Sequence, residues 1–124
     1  MLIEYQLQQF WHRYAKQLIG LKTTNNQSIV VFHAGKLNQH QGPDFIHAHI
    51  KIEEVEWVGN IEVHIRTTDW IRHLHEKDFN YKNIVLHVVW INDSDVYQLS
   101  PVLELSKFVS PDLLNIDCYP SQLY

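Results

Sequence analysis

Two alternating segments lie close together in this chain, Phe45–Ile52 and Asn60–Arg66, and they constrain the fold more than any other feature. In the first, Ile46, Ala48, Ile50 and Ile52 share one face, and His47, His49 and Lys51 take the other. In the second, Ile61, Val63 and Ile65 alternate with Glu62, His64 and Arg66. The intervening Glu53-Glu54-Val55 suits a turn, although it lacks the Asn-Gly signal of a tight hairpin. Two adjacent antiparallel strands are therefore expected. The first is introduced by Gly42-Pro43-Asp44, and the second carries Glu62-Val63-His64.

That placement gives the segments chemical interest. An acid at the mouth of one strand and an acid-x-base triplet on the next form a compact holder for a divalent cation. A turn centred on Glu54 sets Asp44 opposite His64 and diagonal to Glu62, at roughly 5 to 8 Å. A slip of one residue sends Asp44 to the other face, so the whole arrangement depends on register.

The rest of the chain supplies an α/β frame. Ile3, Leu7, Phe10, Trp11, Tyr14 and Leu18 recur at helical spacing, and Gly20 is placed to end that helix. Ser28–Phe32 is short, apolar and β-branched, which reads as a buried strand. Residues His33 to Gly42 read as a loop. Thr67-Thr68-Asp69, with a hydroxyl cap and an acid in the first turn, opens a short helix running to about Lys77, with Arg72 and Glu76 at i,i+4 spacing. Ile84–Ile91, interrupted only by His87, reads as a central strand. Asn92–Asp95 turns the chain into one or two further strands within Val96–Leu105, broken at Pro101. Ser110-Pro111-Asp112 signals another helix start. The order is helix, three strands, helix, strand, with a mixed sheet.

The chain has 124 residues, room for one core. Residues 1–105 are expected to form the α/β domain, and 106–124 a C-terminal extension that begins a missing remainder. No apolar run is long enough to span a membrane, and the N-terminus lacks the basic leader and apolar block of a signal peptide. The lone Cys118 fits a reducing cytoplasm. Ten basic against fourteen acidic side chains, a net charge of −4, argue against a broad non-specific grip on duplex DNA. They leave room for a nucleic acid met through metal ions. Oligomeric state is not legible.

The element order, with Asp44 at the start of the second strand and Glu62-Val63-His64 on the third, resembles the core of the PD-(D/E)XK nuclease superfamily. The segment from Gly42-Pro43-Asp44-Phe45 through Trp57-Val58-Gly59-Asn60-Ile61-Glu62-Val63-His64 also looks like a bacterial family of unknown function. That likeness continues through Asp69-Trp70, His73-Leu74-His75, Asp78, Tyr81 and Leu86-His87-Val88-Val89, and covers roughly residues 20 to 105. Members of that family are several times longer, which would make this chain an N-terminal portion. The superfamily resemblance implies a restriction-endonuclease-like fold and a metal-dependent nuclease hydrolysing phosphodiester bonds in DNA or RNA. Asp44 and Glu62 would hold Mg²⁺ or Mn²⁺, and Glu4 on the first helix would complete the shell. His64 stands where the superfamily has lysine. It would orient or deprotonate the attacking water, or stabilise charge on the phosphate.

Two alternatives come from other classes. A non-catalytic module could keep the fold to bind nucleic acid or protein, with Asp44 as a turn residue and Glu62 and His64 on a solvated strand face. A zinc-dependent hydrolase could use His73 and His75 with Asp78, His87 or His64. On a helix His73 and His75 point nearly oppositely, whereas in an extended loop they could share one ion. His87, inside an apolar strand, reads as a hydrogen-bonded core residue near the site. Trp57, Trp70, Tyr81 and Trp90 read as core and rim, with base stacking as the lesser alternative.

Overall fold

A computed structural model describes residues 2–40, 42–74, 83–95 and 100–116. Helix α1 spans Glu4–Tyr14 and buries Leu7, Phe10 and Trp11. A 3₁₀ turn over Ala15–Gln17 follows, and Leu18 is already extended, so the helix stops one turn short of the apolar spacing. Gly20 does take a left-handed φ of 73°, but it lies beyond that break and does not cap the helix.

Six strands form one mixed sheet: β1 (Ile29–His33), β2 (Lys36–Leu37), β3 (Phe45–Ile52), β4 (Val55–Arg66), β5 (Ile84–Ile91) and β6 (Val102–Glu104). Their order is β1-β3-β4-β5-β6, with β2 also pairing β3. β3 runs antiparallel to β1, β2 and β4, and β4, β5 and β6 run parallel to one another. Helix α2 (Thr67–Leu74) lies in the crossover between β4 and β5, and α3 (Pro111–Ile116) packs against α1. β5 is flanked on both sides, as its apolar run requires.

β1 is an edge strand rather than a buried one. Ile29 and Val31 face the core, while Val30 and Phe32 are exposed. The loop before Pro43 contains β2, a pairing too short to leave a sequence pattern. Gly35 makes that pairing possible: its φ is 100°, and a Cβ there would lie 3.0 Å from the Ile46 carbonyl. Within Val96–Leu105, only Val102–Glu104 forms a strand among the described residues, and Leu105 starts a 3₁₀ turn. Helix α2 is described only to Leu74. The Arg72–Glu76 pairing, His75, Asp78, Tyr81 and Cys118 lie outside the described residues. Beyond residue 105, Val109 and Leu114 join the core.

The β3–β4 connection departs most from expectation, and it sets the site. The turn is shorter than the sequence suggests: Ile52 pairs with Val55, and Glu53 supplies the positive φ of 53° that a tight turn needs. β4 therefore starts at Val55, and Gly59 lies inside it, where a Cβ would meet Val85 Cγ1 at 2.5 Å. From Ile52–Val55 to Ala48–Gly59 the ladder is regular. It then shifts, because Phe45 pairs with Ile61 and Ile46 and His47 together oppose Asn60. His47 takes the left-handed conformation of this bulge, φ 59°. As a result Phe45, not Ile46, joins Ala48, Ile50 and Ile52 in the core.

Carrying the unbulged register onward would put Asp44 opposite Val63, on the core side. The bulge puts it opposite Glu62. A left-handed φ costs a β-branched residue about 1–3 kcal/mol and costs glycine little. His47→Val is expected to lower stability to urea by about that amount, and His47→Gly to leave it within about 1 kcal/mol of wild type. Equal stability of the two variants would show that the bulge is not held at this residue.

Candidate functional site

Asp44 and Glu62 meet through reciprocal bonds at the open end of the β3–β4 ladder. The Asp44 backbone N–H donates to Glu62 Oε1 at 3.0 Å, and the Val63 N–H donates to Asp44 Oδ2 at 2.7 Å. Two carboxylates side by side repel, and each here accepts a backbone donor that offsets part of that cost. Helix α1 contributes from above. Gln8 Nε2 donates to Asp44 Oδ1 at 3.0 Å, and Glu4, one turn earlier on the same helix face, brings Oε1 to 3.8 Å from His64 Nε2. Glu62 Oε2 lies 3.6 Å from the same nitrogen. Glu62 and His64 are each 2% exposed, Asp44 is half-buried, and Glu4 keeps 45% of its side chain in solvent. The cluster is closed beneath His64 and open beside Glu4 and Asp44.

The far side of His64 is built by β5. Parallel register sets His87 beside Glu62, so both point to the α2 side of the sheet, away from Ile61, Val63, Leu86 and Val88. His64 Nδ1 and His87 Nε2 are 2.8 Å apart. The Trp70 ring of α2 packs on His87, with centroids 4.6 Å apart and planes inclined by 66°. The buried Trp70 Nε1 has no hydrogen-bond partner among the described residues.

Helix α2, which carries that tryptophan, is capped from outside its own sequence. Asp93, in the loop after β5, accepts from Thr67 Oγ1 at 2.7 Å, Thr68 Oγ1 at 2.8 Å and the Thr68 N–H at 3.1 Å. Burial pushes the Asp93 carboxyl up, but these bonds outweigh it and hold the group below its ordinary range. The expected hydroxyl cap is thus reversed: the threonines donate, and a distant aspartate accepts.

Electrostatics separates the cluster into two parts. Burial, with a contribution from Asp69, raises the Glu4 carboxyl above its usual value. Burial, and then the neighbouring His64, lowers His87 from 6.5 to about 2, so this imidazole is neutral at any ordinary pH. Glu4 and Asp69 form an acidic margin that a cation would relieve.

Asp44, Glu62 and His64 are therefore brought together, with Asp44 opposite Glu62 rather than opposite His64. Glu4 also reaches His64. His87 is the hydrogen-bonded core residue its strand suggests, and its partner is the triplet histidine itself. Gln8 had no signal beyond its i+4 relation to Glu4. Of the zinc cluster, His64 and His87 are described as side chains, and they meet nitrogen to nitrogen with no room for an ion between them. Of the aromatics, Trp70 is buried, Trp90 packs on the core and Trp57 is half exposed.

Among the described residues no three His, Cys, Asp or Glu side chains gather closely enough to hold a metal by themselves. Mg²⁺ does not require that, since one or two carboxylates with waters and substrate phosphates suffice. Asp44 and Glu62 fit that smaller donor set.

Because the folded chain holds His87 neutral while the unfolded chain protonates it near 6.5, its contribution to stability is complete above 6.5 and is lost as pH falls from there towards 2. Stability against urea is expected to fall across that window with a slope of about one proton, a component absent in His87→Gln. Glu4 has the opposite sign, since its raised carboxyl favours folding as it protonates. Glu4→Gln is expected to stabilise the chain at pH 7 by a few tenths of a kcal/mol, after allowance for its exposure.

Residues 4–119 match the family described as "Protein of unknown function (DUF2851)". No curated protein and no solved structure matches the chain. No helix among the described residues is long and apolar enough to cross a membrane. With nearly the whole chain covered by that match, the protein belongs to the DUF2851 family.

Proposed function

We propose that this chain is a restriction-endonuclease-like domain that hydrolyses phosphodiester bonds in DNA or RNA with the help of a divalent cation. The observation that carries this reading is the convergence of Asp44 and Glu62 beside His64 at the end of the β3–β4 ladder away from its turn. Asp44 and Glu62 would hold Mg²⁺ or Mn²⁺, which when bound polarises a phosphate and lowers the pKa of a water.

The residues have separable roles. Gln8 and the Val63 N–H fix the two Asp44 oxygens, so this carboxylate is oriented before any ligand arrives. The Asp44 N–H does the same for Glu62. His64 turns Nε2 to the acids, where it can take a proton from an attacking water. The half-exposed Glu4 and Asp44 mark the side from which water and phosphate reach that nitrogen. A histidine in place of a lysine gives up a permanent cation and gains a group that can accept a proton.

A second reading has its own observation. Both carboxylates accept backbone donors, and that alone is a structural use for them. On this reading the domain is a non-catalytic module for nucleic acid or protein.

Calorimetric titration of Mn²⁺ into wild type and into Asp44→Asn/Glu62→Gln separates the two. The nuclease reading expects saturable binding in wild type and its loss in the folded double variant. It also expects Mn²⁺-dependent cleavage of single- or double-stranded DNA or RNA to fall at least about a hundredfold. Equal binding in both proteins, or none in either, would leave the module reading standing.

A further inference from the structure

We propose that the exposed strip of sheet carrying Phe32, His49 and Val58 is a stacking platform for unpaired nucleobases, so that the substrate of the Asp44–Glu62 site is a single strand of DNA or RNA. The inference rests on the reading of that site as a nuclease centre, and it names the form of the substrate.

Register fixes the strip. Val58 of β4 pairs with His49, and Lys51 pairs with Val30 of β1 and Glu56 of β4, so these side chains share the face opposite Ile50 and Ile52. Phe32 sits in the β1 irregularity between Val31 and His33. Its ring meets that of His49 with centroids 4.7 Å apart and planes inclined by 46°. Val30, Phe32 and Val58 are 49%, 38% and 63% exposed. One exposed apolar side chain is ordinary. Three on neighbouring strands around an open ring pair form a patch.

The same face leads to the carboxylates. Val58 and Glu62 are four residues apart on β4, so they point the same way at a separation of about 13 Å. Asp44 stands opposite Glu62 as His49 stands opposite Val58. A base resting on the two rings therefore sets a phosphate of the same strand, a few nucleotides along, beside Asp44.

Chemistry selects the occupant. Stacking on an aromatic ring accepts any base, but only one whose face is free, and pairing within a duplex hides those faces. A net charge of −4 suits this mode better than a grip on the paired phosphate tracks of a duplex. Glu56, the acid of the strip, is met by His49 Nε2 at 3.4 Å, and Lys51 supplies a cation beside it. An apolar protein segment needs only bulk from such a patch, whereas a base needs a ring.

The test is fluorescence anisotropy of short fluorescein-labelled DNA and RNA oligonucleotides, titrated with the full chain in EDTA, beside the same DNA annealed to its complement. Saturable binding of single strands is expected, with the duplex several-fold weaker, and the tighter of the two single strands tells DNA from RNA. Folded Phe32→Leu, which keeps apolar bulk and loses the ring, should bind at least about fivefold more weakly, and Phe32→Trp should bind at least as well as wild type. No binding of either single strand overturns the inference, as does a duplex bound equally well or unchanged affinity in Phe32→Leu. A parallel cleavage assay with Mn²⁺ separates the two readings. Cleavage indifferent to Phe32 overturns the platform and spares the nuclease centre. Single-strand binding that depends on Phe32, without cleavage, is the failure of the nuclease centre alone.

Discussion

A single extra residue in β3 determines which face of the sheet Asp44 meets. The hairpin register from Ile52–Val55 to Ala48–Gly59 would carry Asp44 to Val63 and into the apolar core. Two residues against Asn60 turn it to Glu62. The same shift brings Phe45 into the core in place of Ile46, so apolar burial and site geometry are fixed by one irregularity. The reciprocal bonds of Asp44 and Glu62 and the Gln8 contact depend on that placement.

The site has an acidic side and a neutral side, with His64 between them. Glu4, Asp44 and Asp69 gather on one side beside the buried Glu62, and burial, then the Asp69 charge, raises the Glu4 carboxyl. His87 and Trp70 close the other side without adding charge. The backbone donors at Asp44 and Glu62 offset part of the repulsion among these acids. The proposed cation would turn what repulsion remains into attraction.

The sequence made the elements legible and left the contacts between them obscure. Alternation in Phe45–Ile52 and Asn60–Arg66 is a local property, and it located both strands and their acids. The bulge is not local in that sense: His47 is an ordinary outward residue until its partner strand is known. Register therefore failed by the small amount that matters most, giving Asp44 opposite His64 when it lies opposite Glu62. β2 was invisible because two residues carry no period. The cap of α2 escapes a local reading because Asp93 is remote in sequence from Thr67. His87 is a polar break in an apolar run, but only the parallel register of β5 beside β4 gives it its partner.

β4 joins the two halves of the sheet, antiparallel to β3 and parallel to β5, and this has a consequence for the order of assembly. The β3–β4 hairpin closes through a tight turn, with contacts near in sequence and little loop entropy to overcome. The β4–β5 pairing has to wait for a crossover that includes α2. The topology thus implies that the carboxylate pair is complete with the hairpin, while the imidazole pair is complete only when the crossover has docked. A nascent or partly unfolded chain would therefore hold the two acids together before His87 reaches His64.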